Sequence, residues 1–283
     1  MPILHFNEPW QVGVVTVHAV DAFDYDEGFR GKGQFWFVVQ DDETGNRAGE
    51  HDGGTTPEDG TPFAMPQIYN VTYIGSGAFS ANGDNDVVLK IRDNAGGMYI
   101  NSIFTDFAGE AVDIEDLESG EDSRARLEAG DLRLANNIWW GFGAGEDLAS
   151  IAPDQFVADY LAANDNRIAD PLLIGISRDR DRGLDPRPQA DSPAWTGMAT
   201  TPEDGFYSQV DYVGAFGRSL WTSGWTFLSE AASCPPTPRP SSPRNRPSKP
   251  RCPTATRWSR TFPTPSTPAP PSTTRCPPTA KSS

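Results

Sequence analysis

The 283-residue sequence is short of histidine and cysteine, with three of each, and has no long run of apolar side chains. A membrane-spanning helix needs about 20 consecutive apolar residues, so no transmembrane segment is expected. The cysteines, Cys234, Cys252 and Cys276, show no metal-ligand spacing and leave the first 233 residues with none. Neither a disulfide framework nor a zinc motif can therefore organise that part, and cysteine says nothing about compartment. A nucleophile elbow, a phosphate-binding loop and a CxxC pair are also missing. The opening MPILHFNEPWQVGVV lacks the basic-then-apolar order of an export signal.

Glycine and acid disappear abruptly along the chain. All 27 glycines precede Ala231, and all 39 Asp and Glu residues lie at or before Glu230. From Cys234 onward there are 15 prolines and 9 Lys or Arg, with no Asp, Glu or Gly. Such a segment has too little apolar surface to offset the entropy of ordering it, so residues 232–283 read as a disordered Pro/Ser/Thr/Arg tail. Pro, Arg, Ser and Thr are also what GC-rich codons yield when read out of frame. A frameshift product and a Pro/Thr/Ser stalk are the two readings of this tail.

The preceding residues set 39 acids against 14 bases. A body this acidic repels phosphate backbones, so nucleic acid is excluded as a partner, while cations, calcium above all, are favoured.

What the body does contain is self-similarity, the mark of a solenoid. One ladder repeats apolar-x-apolar-polar-Asp at Phe37–Asp41, Leu89–Asp93 and Val112–Asp116, the last two 23 residues apart. Alternation sends Phe37 and Val39, Leu89 and Ile91, and Val112 and Ile114 to the inside, and their intervening neighbours outward. In neighbouring coils Lys90 then stands beside Asp113, and Arg92 beside Glu115, as complementary pairs. A second ladder places Asn70, Asn101 and Asn136 before apolar runs, 31 and 35 residues apart. Stacked asparagines can bond side chain to side chain along the axis. Two ladders out of phase require at least two sheets per coil.

These patterns predict an all-β, right-handed parallel β-helix. Residues 1–150 form its coils, read as truncated at the N-terminus. Residues 151–231 form a terminal coil and cap. Within that cap, Pro153–Asn164 sets Phe156, Val157, Tyr160 and Leu161 on one helical stripe, and the aromatics between Gly214 and Leu228 supply a lid.

The stretches Phe23–Gly45, Gly49–Gly75, Leu89–Phe107 and Asp122–Gly143, with GLDPRPQADSPAWTG and VDYVGAFGRSLWTSGWTFLSE, resemble a family of exported bacterial β-helix proteins of pectate-lyase-like fold. The resemblance covers about residues 20–230. It implies an extracellular or cell-surface location and no established activity.

Two functional classes follow. The first is a non-catalytic surface protein, expected as a monomer, presenting an acidic solenoid face to cations, polysaccharide or extracellular matrix. The second is a carbohydrate-active enzyme, a polysaccharide lyase or glycoside hydrolase. A lyase needs calcium to acidify a proton beside a uronate carboxylate and an Arg or Lys as base, and Arg92 and Lys90 near Asp113 and Glu115 are the constellation that fits. Calcium candidates are Asp41, Asp42, Glu50 and Asp52, in a glycine-rich acidic stretch from Asp41 to Pro66 that reads as one long loop. His51 belongs to the same predicted loop.

Overall fold

The structure, a computed structural model, describes residues 15–18, 21–54, 56–231 and 233–235. A strand β1 (Val15–His18) leads into four coils, each laying one strand in each of three parallel sheets. The first coil is β2 (Phe23–Tyr25), β3 (Lys32–Gln34) and β4 (Phe37–Gln40), and the second is β5 (Gly49–Asp52), β6 (Gln67–Tyr69) and β7 (Thr72–Ile74). The third is β8 (Val87–Arg92), β9 (Gly97–Ile100) and β10 (Ile103–Phe107). The fourth is β11 (Glu110–Ile114), the helix α1 (Ser123–Ala129), β12 (Leu132–Ala135) and β13 (Ile138–Phe142).

The first strand of every coil joins one sheet, β2-β5-β8-β11, hereafter the first sheet. The second strands join as β3-β6-β9-β12, and the third strands as β1-β4-β7-β10-β13. All neighbours within these sheets are parallel and in register, so the chain is a parallel β-helix.

Each strand sends alternate side chains into the lumen. In the third sheet the lumenal column is Val38, Tyr73, Phe104 and Trp139, all fully buried. Phe104 and Trp139 stack with ring centroids 4.3 Å apart. Leu89, Ile91, Val112 and Ile114 fill the first-sheet side as expected. Phe37 and Val39 do the opposite of what the apolar-x-apolar ladder predicts. Their copy of the motif lies in the third sheet, where Val38 faces the lumen while Phe37 and Val39 face outward under later parts of the chain. Both faces of this strand are apolar, and alternation alone cannot orient such a strand.

His51 is also lumenal. Its strand β5 lies inside the stretch predicted as one long loop, because Gly-Glu-His-Asp has little strand propensity, although His51 points in between outward Glu50 and Asp52. The imidazole stacks on Tyr25 at 3.9 Å, and its Nε2 lies 2.8 Å from the Tyr99 hydroxyl. Burial lowers its pKa from 6.5 to about 3, so the ring is neutral.

The corner between the second and third sheets turns through a left-handed residue in each coil. Asn70, Asn101 and Asn136 occupy it with φ of 53°, 58° and 56°, a conformation asparagine tolerates better than most residues. The expected asparagine-to-asparagine bonds are not made. Asn101 instead holds the backbone of Ala199 from both sides, accepting from its N–H and donating to its carbonyl at 2.7 Å each. Asn70 donates to the Tyr212 carbonyl and Asn136 to that of Gly197. The bonds that run along the axis belong to the next column: Ser102 N–H donates to Asn137 Oδ1 at 2.8 Å, and Val71 N–H to Ser102 Oγ at 3.2 Å.

After β13, two helices, α2 (Leu148–Ile151) and α3 (Gln155–Ala163), close the end of the lumen with Ile151, Val157 and Leu161. Phe156 and Tyr160 pack against the same core, as the helical stripe predicts. A short strand β14 (Arg167–Ile168) adds to the third sheet beside β13. The chain then runs back along the outside as a strap, with an antiparallel hairpin of β15 (Leu173–Ile176) and β16 (Leu184–Pro188). The aromatics expected to form a lid over the end lie in this strap. Ala194 and Val213 cover Ile103 and Ile138, and Ala215, Phe216 and Leu220 cover Phe37, Val39 and Ile74. Ala199 and Tyr207 lie over Tyr69, Ile100 and Ala135 of the second sheet. The packed body continues to Cys234, which is buried beside Leu228. The Pro/Ser/Thr/Arg segment from residue 236 onward lies outside the described residues, as does His5.

Two outcomes follow. Asn101→Ala should destabilise the protein by about 1 to 3 kcal/mol in denaturant unfolding, since it strands two strap groups and puts alanine at positive φ. The depressed pKa of His51 means that its contribution is fully present above pH 6.5 and is lost as pH falls toward about 3. His51→Phe should accordingly flatten the acid limb of stability against pH by up to about one proton, or about 1.4 kcal/mol per pH unit.

Candidate functional site

The strap covers the outer faces of the second and third sheets and leaves the first sheet open among the described residues. Its outward positions are nearly all charged. One column runs Asp24, Glu50, Lys90, Asp113 through the four coils, and the next places Asp52 beside Arg92. Parallel stacking puts such neighbours about 4.8 Å apart at the backbone, close enough for every charge to feel the one above and below.

The predicted Lys90–Asp113 pair is formed. Arg92 is not paired with Glu115. Its Nε lies 2.7 Å from Asp52 Oδ1, and its Nη2 lies 3.0 Å from Glu50 Oε1. Glu115 accepts the backbone N–H of Asp93 at 2.9 Å and so supports the turn that follows β8. The difference arises because Glu50 and Asp52 belong to the missed strand β5, which offers Arg92 two carboxylates from the preceding coil.

Burial first, and neighbouring acids after it, raise several carboxyl groups above their ordinary range. Burial does so first for Asp24, with Asp52, Asp26 and Asp21 adding to it, and first for Glu50, with Asp21 next. Glu110, Asp93 and Glu115 are raised chiefly by burial as well. The guanidinium of Arg92 holds its proton more tightly than usual, through its bond to Asp52 first. An arginine held in this way is poorly suited to act as a base.

The four calcium candidates do not share a site. Glu50 and Asp52 are on the first sheet and engaged with Arg92. Asp41 stands in the turn after β4, where its Oδ1 accepts the N–H groups of Glu43 and Thr44 at 2.9 and 3.0 Å. Those bonds, that of Glu43 first, hold its carboxyl below the usual range. Asp42 is exposed in the same turn. Among the described residues no three His, Cys, Asp or Glu side chains gather closely enough to hold a metal ion, and no helix is long and apolar enough to cross a membrane.

Residues 11–147 match the family model described as a pectate-lyase like beta helix domain. They include β1 and all four coils, so the parallel β-helix of this part of the chain is similar to that family's domain. No curated protein and no solved structure matches the chain.

Removal of the Arg92 charge tests how the face is balanced. Arg92→Leu leaves Asp52 without a cation and Glu50 with only the more distant Arg47, at 3.4 Å, although their side chains are just 14% and 15% exposed. Stability should fall by about 1 to 3 kcal/mol at neutral pH and recover on mild acidification, as protonation removes the repulsion. Thermal unfolding at two pH values measures both effects.

Proposed function

We propose that the protein is a non-catalytic β-helix acting outside the cell or at its outer surface, with the open face of the first sheet as its binding surface for cations and polysaccharide. One observation carries this reading: among the described residues, the strap covers the outer faces of two of the three parallel sheets, and the bare face of the remaining one is lined by rows of charge. A surface kept polar for solubility alone would not require the neighbouring faces to be apolar and covered. Acids outnumber bases on it, and its crowded carboxylates gain from a cation or from sugar hydroxyl donors. A polyanionic chain would need calcium between itself and this face. Affinity for immobilised neutral and acidic polysaccharides, with and without calcium, tests the reading. The variant Asp24→Asn/Glu50→Gln/Asp113→Asn should bind at least about tenfold more weakly, a loss of about 1.4 kcal/mol. Equal binding by the variant would sink it.

A second reading, a polysaccharide lyase using Arg92 or Lys90 with Asp113, Glu115 and calcium, draws support from Arg92 standing between two carboxylates on the open face. The tight hold on its proton weighs against it. Ultraviolet absorbance from an unsaturated uronide product, appearing with acidic polysaccharide and abolished in Arg92→Leu, would favour this enzyme over the binding protein.

A further inference from the structure

The strap carries a shallow, open-sided cavity of about 350 Å³, lined by Ile174, Arg187, Pro188, Gln189, Trp195 and Arg218 among others. It lies between the β15–β16 hairpin and the turn at Trp195, away from the charged face of the first sheet. Its walls bring two guanidinium groups to an indole and a strip of aliphatic surface.

The two arginines are not equivalent. Arg187 is neutralised by buried Asp185, with Nε 2.8 Å from Oδ1 and Nη2 2.6 Å from Oδ2. Arg218 is exposed and has no carboxylate within ion-pair distance among the described residues. Its guanidinium instead lies over the Trp195 ring, 4.7 Å from the centroid. The ring is itself fixed, because Trp195 Nε1 donates to the Gln189 carbonyl at 2.6 Å. The cavity therefore presents one unneutralised, pre-oriented guanidinium beside a flat apolar wall of Ile174 and Pro188. Stacking on an aromatic ring leaves the planar edge of a guanidinium free to take a carboxylate through two parallel hydrogen bonds. The volume is at the small end for ligand sites and suits a single ring.

We propose that this cavity binds a carboxylate carried on a six-membered ring, with Arg218 as the anion partner and Trp195 as the positioning residue that holds it. Sugar acids and aromatic acids share this chemistry. The full chain is titrated with glucuronate, glucose, benzoate and benzyl alcohol by calorimetry, and indole N–H resonances are followed by NMR. At least one of the two acids should bind and move the Trp195 resonance, assigned by its loss in Trp195→Phe. The matching neutral compound should bind at least about tenfold more weakly. Arg218→Gln, checked for folding by circular dichroism, should weaken the acid by a similar factor, whereas Asp24→Asn/Glu50→Gln/Asp113→Asn should not. Preference for glucuronate identifies a sugar acid, and preference for benzoate an aromatic one. No binding by either acid, equal binding of acid and neutral partner, or an unchanged affinity in Arg218→Gln would overturn the proposal.

Discussion

In-register parallel stacking is the constraint on which the rest of this structure depends. Every side chain has as its nearest partners the residues at the same position one coil before and one coil after, about 4.8 Å away at the backbone. A column must therefore be compatible along its whole length, while the corners between strands need only return the chain to register. The third sheet shows how strict the first condition is, with Tyr73, Phe104 and Trp139 succeeding one another in the lumen. The first sheet shows how loose the second is: Gly49 pairs with Leu89, forty residues on, and Leu89 pairs with Val112 after only 23.

The same constraint explains why the faces differ. The third sheet is apolar on both sides, since Phe37, Ile74, Ile103 and Ile138 point outward, and it would expose a continuous apolar ridge if left bare. The strap answers this, held by the corner asparagines through backbone groups of Gly197, Ala199 and Tyr212. The left-handed corner thus serves two ends. It turns each coil, and it directs an amide outward to fasten the returning chain. Coverage of two sheets leaves a surface on the remaining one, and that surface can be charged because, among the described residues, the strap does not pack on it.

Much of this was legible in sequence. The coil length, the asparagine corners, the Lys90–Asp113 register and the helical stripe of Phe156 to Leu161 follow from spacing and alternation, which are local properties. The misreadings share a different origin. Phe37 reads as part of the ladder of Leu89 and Val112 because all three motifs look alike, yet only the neighbouring coils decide which sheet a strand joins. Strand β5 was missed because Gly49 and His51 occupy inward positions, and their suitability depends on Leu89, Tyr25 and Tyr99, distant in sequence. Reading Glu50 and Asp52 as loop residues directs Arg92 to Glu115 instead. The cavity at Arg218 had no sequence signal, because its lining residues are joined only by the path of the strap.

The order of charges along the first sheet gives its face a direction. The bases Lys90 and Arg92 both lie in the third coil, where they engage acids on either side: Asp113 in the fourth, and Glu50 and Asp52 in the second. Asp24 in the first coil stands next to Glu50, an acid beside an acid, and both carboxyl groups are raised. Like charges in adjacent parallel positions repel, and the third-coil bases relieve that repulsion only in part, because Arg92 is closer to Asp52 than to Asp24 can be by register. Electrostatic compensation is therefore least complete at Asp24 in the first coil, since Glu50 is reached by both Arg92 and Arg47 and Asp52 by Arg92. A cation or a hydroxyl donor gains most where carboxylates are crowded and not already neutralised, so the first coil, around Asp24, is where the proposed ligand has most to stabilise, and the axis of the solenoid sets the direction in which an extended chain would lie across the face.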